Sequence, residues 1–143
     1  MSKEYKNITN DKGSIMNYFT KTAMSLVLSM VATLAIAGEM LPYDQATFDK
    51  LASDGKSVVV EVKADWCTTC KAQKPILSVL MNTKEYKNVS MLIIDFDAQK
   101  PLVQKFNVSM QSTLIAFKGG KEVDRTVGDT SHNGIEGLIK KSL

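Results

Sequence analysis

A chain of 143 residues has room for one ordinary domain, and 44% hydrophobic with 23% charged residues is the balance of a folded globular protein, which excludes whole-chain disorder. The formal charge of +3 is too small for a nucleic-acid footprint. Two cysteines, Cys67 and Cys70, exclude a framework of several disulfides, and a single histidine, His132, excludes a His-rich metal site.

The first 37 residues differ from the rest. From Thr22 to Gly38 there is no charge, and the run Ala23 to Ala37 is apolar and small, with Lys21 before it and Ala35-Ile36-Ala37 at its end. A charged lead, an apolar stretch of roughly 7–15 residues and an A-x-A site describe a secretory signal peptide. The run falls short of the ~20 residues a spanning helix needs. Cleavage is expected after Ala37. The rival reading is an uncleaved N-terminal membrane anchor; a buried helix is disfavoured because the segment has no polar face. Residues 1–15 are polar and unpatterned. A start at Met16 gives the leader a more usual length and makes them an over-extended reading frame, whereas a start at Met1 makes them a polar tail. The remaining domain, Gly38 to Leu143, has 106 residues and carries 14 Lys and Arg against 13 Asp and Glu, so the basic excess belongs mostly to the leading segment. A domain of this size buries a core without covalent staples, and its cysteines are not needed for stability.

Along this domain, Tyr43 to Ser53 reads as a helix with Asp44 as N-cap and Phe48, Leu51 and Ala52 at helical spacing. Asp54-Gly55-Lys56 stops it. Ser57 to Lys63 is a buried strand, rich in valine. After a turn at Ala64-Asp65-Trp66, a helix runs from Cys67 to about Met81 with Cys70, Ile76, Leu77, Leu80 and Met81 on one side and Pro75 inside it. Val89 to Asp97 is the second strand, and Lys100-Pro101 opens a short helix through Phe106. Thr113 to Lys118 and Lys121 to Val127 form a hairpin across Gly119-Gly120, and a last helix starts near Ser131. The order α-β-α-β-α-β-β-α gives an α/β class with a mixed central sheet flanked by helices.

The chemistry is concentrated in Trp66-Cys67-Thr68-Thr69-Cys70, where a buried strand turns into a helix. Orphan backbone N–H groups and the positive end of the helix dipole favour a thiolate on the first cysteine. The second, three residues on, faces back along the same turn and can attack a mixed disulfide made by the first. A C-x-x-C beside a βαβ pattern is a redox signature. Other readings compete with it. A structural disulfide closes too small a loop to restrain the unfolded chain much. Half a zinc site lacks a second pair of ligands. A Cu(I) thiolate site suits soft sulfurs, with His132 in the loop Gly128 to Gly134 as a further ligand.

At these residues the chain resembles the thioredoxin-like superfamily over about Asp44 to Leu143. The carriers are the run from Val58 through Trp66-Cys67-Thr68-Thr69-Cys70 to Pro75, then Asp95-Phe96-Asp97, the hairpin Thr113 to Gly120, and Val127-Gly128. Ala64-Asp65-Trp66-Cys67 is similar to the C-terminal periplasmic domain of bacterial transmembrane thiol:disulfide reductases. The resemblance implies a thioredoxin fold. It makes Cys67 the exposed nucleophile and Cys70 the buried resolving thiol, which together form the Cys67–Cys70 disulfide. It places Glu61 as a buried acid beneath Cys70, a candidate proton acceptor; the alternative is a solvated, edge-facing residue. Lys63 stands where many relatives have a second tryptophan, and its charge favours a thiolate. Trp66, Gln111, Ser112 and Thr113 are expected beside the substrate.

One departure matters. The family has a cis-proline before the third strand, and here that position is Ser112, for which a cis bond costs ~2.5–4 kcal/mol. A trans Gln111–Ser112 peptide is therefore expected, and Gln111 inherits the position whose backbone bonds substrate. Loss of the ring also raises the alternative of a periplasmic metal-binding module, holding Cu(I) or an iron–sulfur cluster shared between two chains on the same cysteines. The leading expectation is a periplasmic or secreted bacterial thiol-disulfide oxidoreductase. It acts on client protein disulfides or thiols as a monomer, without a cofactor, resident metal or nucleic acid. An upstream membrane or periplasmic electron donor or acceptor completes the circuit.

Overall fold

The computed structural model describes residues 40–143. The expected leader in residues 1–37, its cleavage after Ala37 and the choice between Met1 and Met16 lie outside the described residues. The elements in chain order are β1 (Met40–Pro42), α1 (Gln45–Ser53), β2 (Ser57–Lys63), α2 (Thr68–Met81), β3 (Val89–Asp95), α3 (Lys100–Lys105), β4 (Thr113–Lys118), β5 (Lys121–Val127) and α4 (His132–Ser142). Spatially the sheet runs β1-β3-β2-β4-β5. β1 and β2 lie parallel to β3, and β4 runs antiparallel to both β2 and β5. This is the thioredoxin fold with the expected mixed sheet.

β2 occupies the middle of the sheet because its residues 58–62 can be buried on both faces. Val58, Val60 and Val62 face one way, into a core with Leu51, Phe106 and Phe117 beneath α1 and α3. Val59 faces the other way, into a core with Leu77, Leu80, Ile135 and Ile139 beneath α2 and α4. By the two-residue period of a strand, Glu61 shares the face of Val59. Its carboxyl is thereby delivered to the α2 side.

The structure adds one strand and moves several boundaries, with α1 starting at Gln45 and α2 at Thr68, each just after its N-cap. β1 is an additional edge strand of three residues, too short to show a period; Pro42 at its end is tolerated because an edge strand leaves one row of N–H groups unpaired. β3 stops at Asp95, not Asp97, because the Asp95 Oδ1 accepts the N–H groups of Asp97 and Ala98, both at 2.8 Å, and turns the chain. α3 ends at Lys105, one residue early. The Gly119-Gly120 turn is as expected, with φ of 54° and 76° that suit a two-residue hairpin.

Candidate active site

Strand β2 ends at Lys63 and the chain turns tightly, with the Cys67 N–H donating to the Ala64 carbonyl at 3.1 Å. Cys67 then caps α2 from an extended conformation, and its Sγ accepts the N–H of Cys70 at 3.0 Å. A sulfur here takes the place usually held by a Ser, Thr, Asp or Asn side chain. Cys67 and Cys70 are joined in a disulfide, with their Cα atoms 5.3 Å apart. On reduction, the same N–H and the helix N-terminus are in place to receive a thiolate.

The expected contrast between an exposed Cys67 and a buried Cys70 is absent from this disulfide form. The two residues are 3% and 5% exposed. As a cap, Cys67 turns its sulfur back over the first helical turn, and the pair packs with Ala64 and against Phe96. The exposed neighbour is Trp66, at 60%, whose indole Nε1 donates to the Asp97 Oδ2 at 2.7 Å. Asp97 carried no assigned role in the sequence reading. Its part is to tether the ring from the loop after β3.

Glu61 is 2% exposed, on an interior strand and not an edge, so the solvated alternative does not hold. It lines a cleft of about 380 Å³ together with Cys70, Lys63 and Lys74. Burial pushes its carboxyl above the usual carboxylate range; the Lys63 and Lys74 ammonium groups pull the other way without cancelling it. Lys63 also sits 3.5 Å from the Asp65 carboxylate in an exposed pair of the kind that contributes little stability.

The loop before β4 leaves the sheet at the same end as Cys67, since Thr113 pairs with Val62. No peptide bond among the described residues is cis, and Ser112 takes a left-handed backbone with φ of 58°. Its hydroxyl donates to the Gln111 carbonyl, and its own carbonyl accepts from the Gly128 N–H at 2.9 Å and the Gln73 Nε2 at 3.3 Å. Gln111 is half-buried, whereas Ser112 and Thr113 are buried. The Thr113 hydroxyl is consumed by the Met110 carbonyl at 2.7 Å. Of the residues expected beside substrate, Trp66 and Gln111 are thus the accessible ones.

Gln73 was missed from the sequence, although its spacing from Cys70 puts it on the buried face of α2, among otherwise apolar residues. His132 heads α4, with Nδ1 3.9 Å from the Glu136 Oε2. Among the described residues, no group of three or more His, Cys, Asp or Glu side chains is placed to hold a metal ion. The metal-binding alternative therefore gains no supporting observation.

A C-x-x-C disulfide that caps the helix after a central strand, with a buried acid lining the same cleft as its second cysteine, defines a centre for dithiol–disulfide exchange. The thioredoxin family profile matches residues 39–141, and the chain belongs to that family; with Cys67 and Cys70 in place it is a thiol-disulfide oxidoreductase. It is 40% identical over 99 residues to Thioredoxin-2 of Saccharomyces cerevisiae, across 69% of this chain and 86% of that protein. It is 40% identical over 84 residues to the thioredoxin of Chlamydia muridarum, across 59% of this chain and 80% of that one. Among solved structures, Trxlp from Edwardsiella tarda EIB202 is similar with a TM-score of 0.68 and 38% identity, over 70% of this chain and 98% of its own.

Proposed function

We propose that this chain is an exported oxidoreductase that exchanges electrons with client protein disulfides in the periplasm, acting as a monomer and fed by an upstream membrane or periplasmic donor. The observation that carries the exchange chemistry is the Cys67–Cys70 disulfide capping α2 beside the buried Glu61. In the reducing direction, the Cys67 thiolate attacks one sulfur of a client disulfide and expels a client thiolate, forming a mixed disulfide. Cys70 gives its proton to the Glu61 carboxylate and attacks the Cys67 sulfur. The second client thiolate leaves, and two electrons have passed to the client. The disulfide form described above is the end of that sequence. Because two sulfurs carry both electrons, no cofactor is required.

Export is supported by the uncharged apolar run ending in Ala35-Ile36-Ala37 and by the resemblance of Ala64-Asp65-Trp66-Cys67 to a periplasmic reductase domain. An exported dithiol in an oxidising compartment needs a donor to remain reduced. The direction of exchange follows from its potential: a value near ~−270 mV marks a reductant and one near ~−120 mV an oxidant.

The test is reduction of insulin with dithiothreitol as donor. Turnover is expected in the wild type and absent in Cys67→Ser, while Cys70→Ser accumulates a mixed disulfide. Turnover that survives in Cys67→Ser refutes the assignment. For export, the N-terminus of the cell-envelope form is expected at Gly38; a form that stays in the cytoplasmic fraction refutes that part.

A further inference from the structure

Gln73 is a polar side chain in an apolar stripe. It stands one turn after Cys70 and one turn before Leu77 on the face of α2 that meets the sheet, and it is 0% exposed. Its Nε2 donates to the Ser112 carbonyl at 3.3 Å and to the Asp129 carbonyl at 2.8 Å. Both amide hydrogens are thereby used. Its Oε1 is buried with no hydrogen-bond partner. An unpaired buried acceptor destabilises the fold, and an apolar side chain of the same length would fill the space without it. Core packing alone does not account for a glutamine here; the two donors do.

What the donors hold is unusual backbone. Ser112 has φ of 58°, which for a non-glycine residue persists only where the surroundings impose it. Its carbonyl is fixed by Gln73 and by the Gly128 N–H, while its hydroxyl is fixed on the Gln111 carbonyl. Gln111 is the half-buried residue expected beside the client, and strand-like pairing with an extended chain depends on N–H and C=O groups pointing in one direction. A proline ring here would lock φ at about −65° by covalent geometry, a value Ser112 does not share. Without it, the orientation rests on hydrogen bonds from α2 and from the loop after β5.

From these contacts we infer that Gln73 is a positioning residue for client binding. Its amide ties the Ser112 and Asp129 carbonyls to the helix that carries the cysteines, so the Gln111 backbone is held in register with the disulfide. The inference rests on the proposed action on protein disulfides and adds the residue that sets affinity for an extended polypeptide client.

The test compares the wild type with Gln73→Met, which keeps length and volume but removes both donors. Leu77→Ala, which loosens the same helix face without touching Ser112, serves as the stability control. Steady-state constants are measured with insulin and with a small aromatic disulfide that has no peptide backbone, using dithiothreitol as donor, and Tm is recorded for each variant. Expected for Gln73→Met are a KM for insulin raised about threefold or more, kcat within about twofold, a small-disulfide rate within about twofold, and a Tm closer to wild type than that of Leu77→Ala. Leu77→Ala is expected to lower Tm and leave KM for insulin in place. A KM change below about threefold in Gln73→Met, an equal loss toward both disulfides, or a KM rise in Leu77→Ala matching that of Gln73→Met overturns the inference. A wild type that reduces the small disulfide but never insulin overturns the proposed client class, and this inference with it. Wild-type turnover of insulin with unchanged KM in Gln73→Met overturns this inference alone.

Discussion

Reduction of the Cys67–Cys70 disulfide perturbs stability by an amount that can be worked from the chain. The cysteines are three residues apart, so the bond closes a loop of four residues. The chain-entropy relation then gives about 2 kcal/mol at 25 °C in favour of the oxidised form, below the ~3 kcal/mol of a 15-residue loop but measurable in a small domain. For a domain near 100 residues this corresponds to about 8–16 °C in Tm. By the thermodynamic cycle, the same 2 kcal/mol makes the folded disulfide about 40 mV more reducing than the same disulfide in the unfolded chain.

A second contribution opposes the first. In the reduced protein, a Cys67 thiolate gains the Cys70 N–H and the helix N-terminus on folding. For such an acid, the added stability is present above the ordinary thiol range near ~8.5 and is lost as pH falls. The oxidised form should therefore lead by the full 2 kcal/mol in acid, and its lead should shrink as pH rises. Urea unfolding of both forms at pH 4 and pH 8, with a phosphine as reductant, measures the two gaps. A gap below about 0.5 kcal/mol at pH 4 refutes the loop argument. A gap that widens toward pH 8 refutes the capping argument.

Three further variants test named residues. Glu61→Gln should stabilise the protein at pH 8 and change little at pH 4, because a buried acid with a raised pKa favours the folded state at low pH and loses that contribution as pH climbs through its folded value; urea midpoints at the two pH values check the sign. The same variant should slow resolution of the mixed disulfide by roughly 10²-fold, seen in single-turnover reduction of insulin, and an unaltered rate removes Glu61 from proton transfer. Asp97→Ala should leave stability within about 1 kcal/mol, since the Trp66 contact is solvent-exposed, while freeing the indole and raising KM for client; a large drop in Tm would show that the tether is part of the fold. In Gly134→Ala the new Cβ collides with the Asp129 carboxylate and comes within 2.8 Å of the Ser131 Oγ, so the N-cap of α4 should fail at a cost of about 1–2 kcal/mol, read as a lower Tm.

The elements that could be read along the chain are those with strong local determinants. β2, β4 and β5 fall on their expected residues because β-branched or apolar runs are bounded by turn residues, Gly55 before β2 and Gly119-Gly120 and Gly128 around the hairpin. β1 was not legible, since three residues show no period and its partner among the described residues is β3, about fifty residues away. The cysteine pair and its place at a helix start were legible from the C-x-x-C spacing alone. Burial of Glu61 was legible through the resemblance, with a solvated residue as the alternative. By contrast, the Asp97 tether of Trp66, and the hold of Gln73 on Ser112, join residues 31 and 39 positions apart. No local pattern encodes such contacts. The exposed Cys67 was mistaken for a related reason: its exposure depends on the turn of a sulfur over its own helix.

The placement of buried polar groups argues that this end of the sheet is shaped by something besides packing. Among the described residues, the buried polar side chains are Glu61, Gln73, Ser90, Ser112, Thr113 and Ser142. Ser90 and Ser142 lie toward the start of β2, Ser90 paired with Val58 in register and Ser142 with its carbonyl on the Ser57 hydroxyl. The other four lie toward its end, where the chain enters Cys67. Two of them go against the fold locally: Glu61 has its carboxyl in a region that disfavours its charge, and Gln73 keeps an acceptor without a partner. Natural sequences break local consistency mainly where function requires it. Glu61 lines one cleft with Cys70, and Gln73 fixes the loop before β4. On the roles proposed above, a proton for one and the client backbone for the other, their replacement should separate. Glu61→Gln should act on the resolving rate and its pH dependence, and Gln73→Met on KM. If both variants moved the same constant, the two residues would belong to a single structural network and the division of labour would fail.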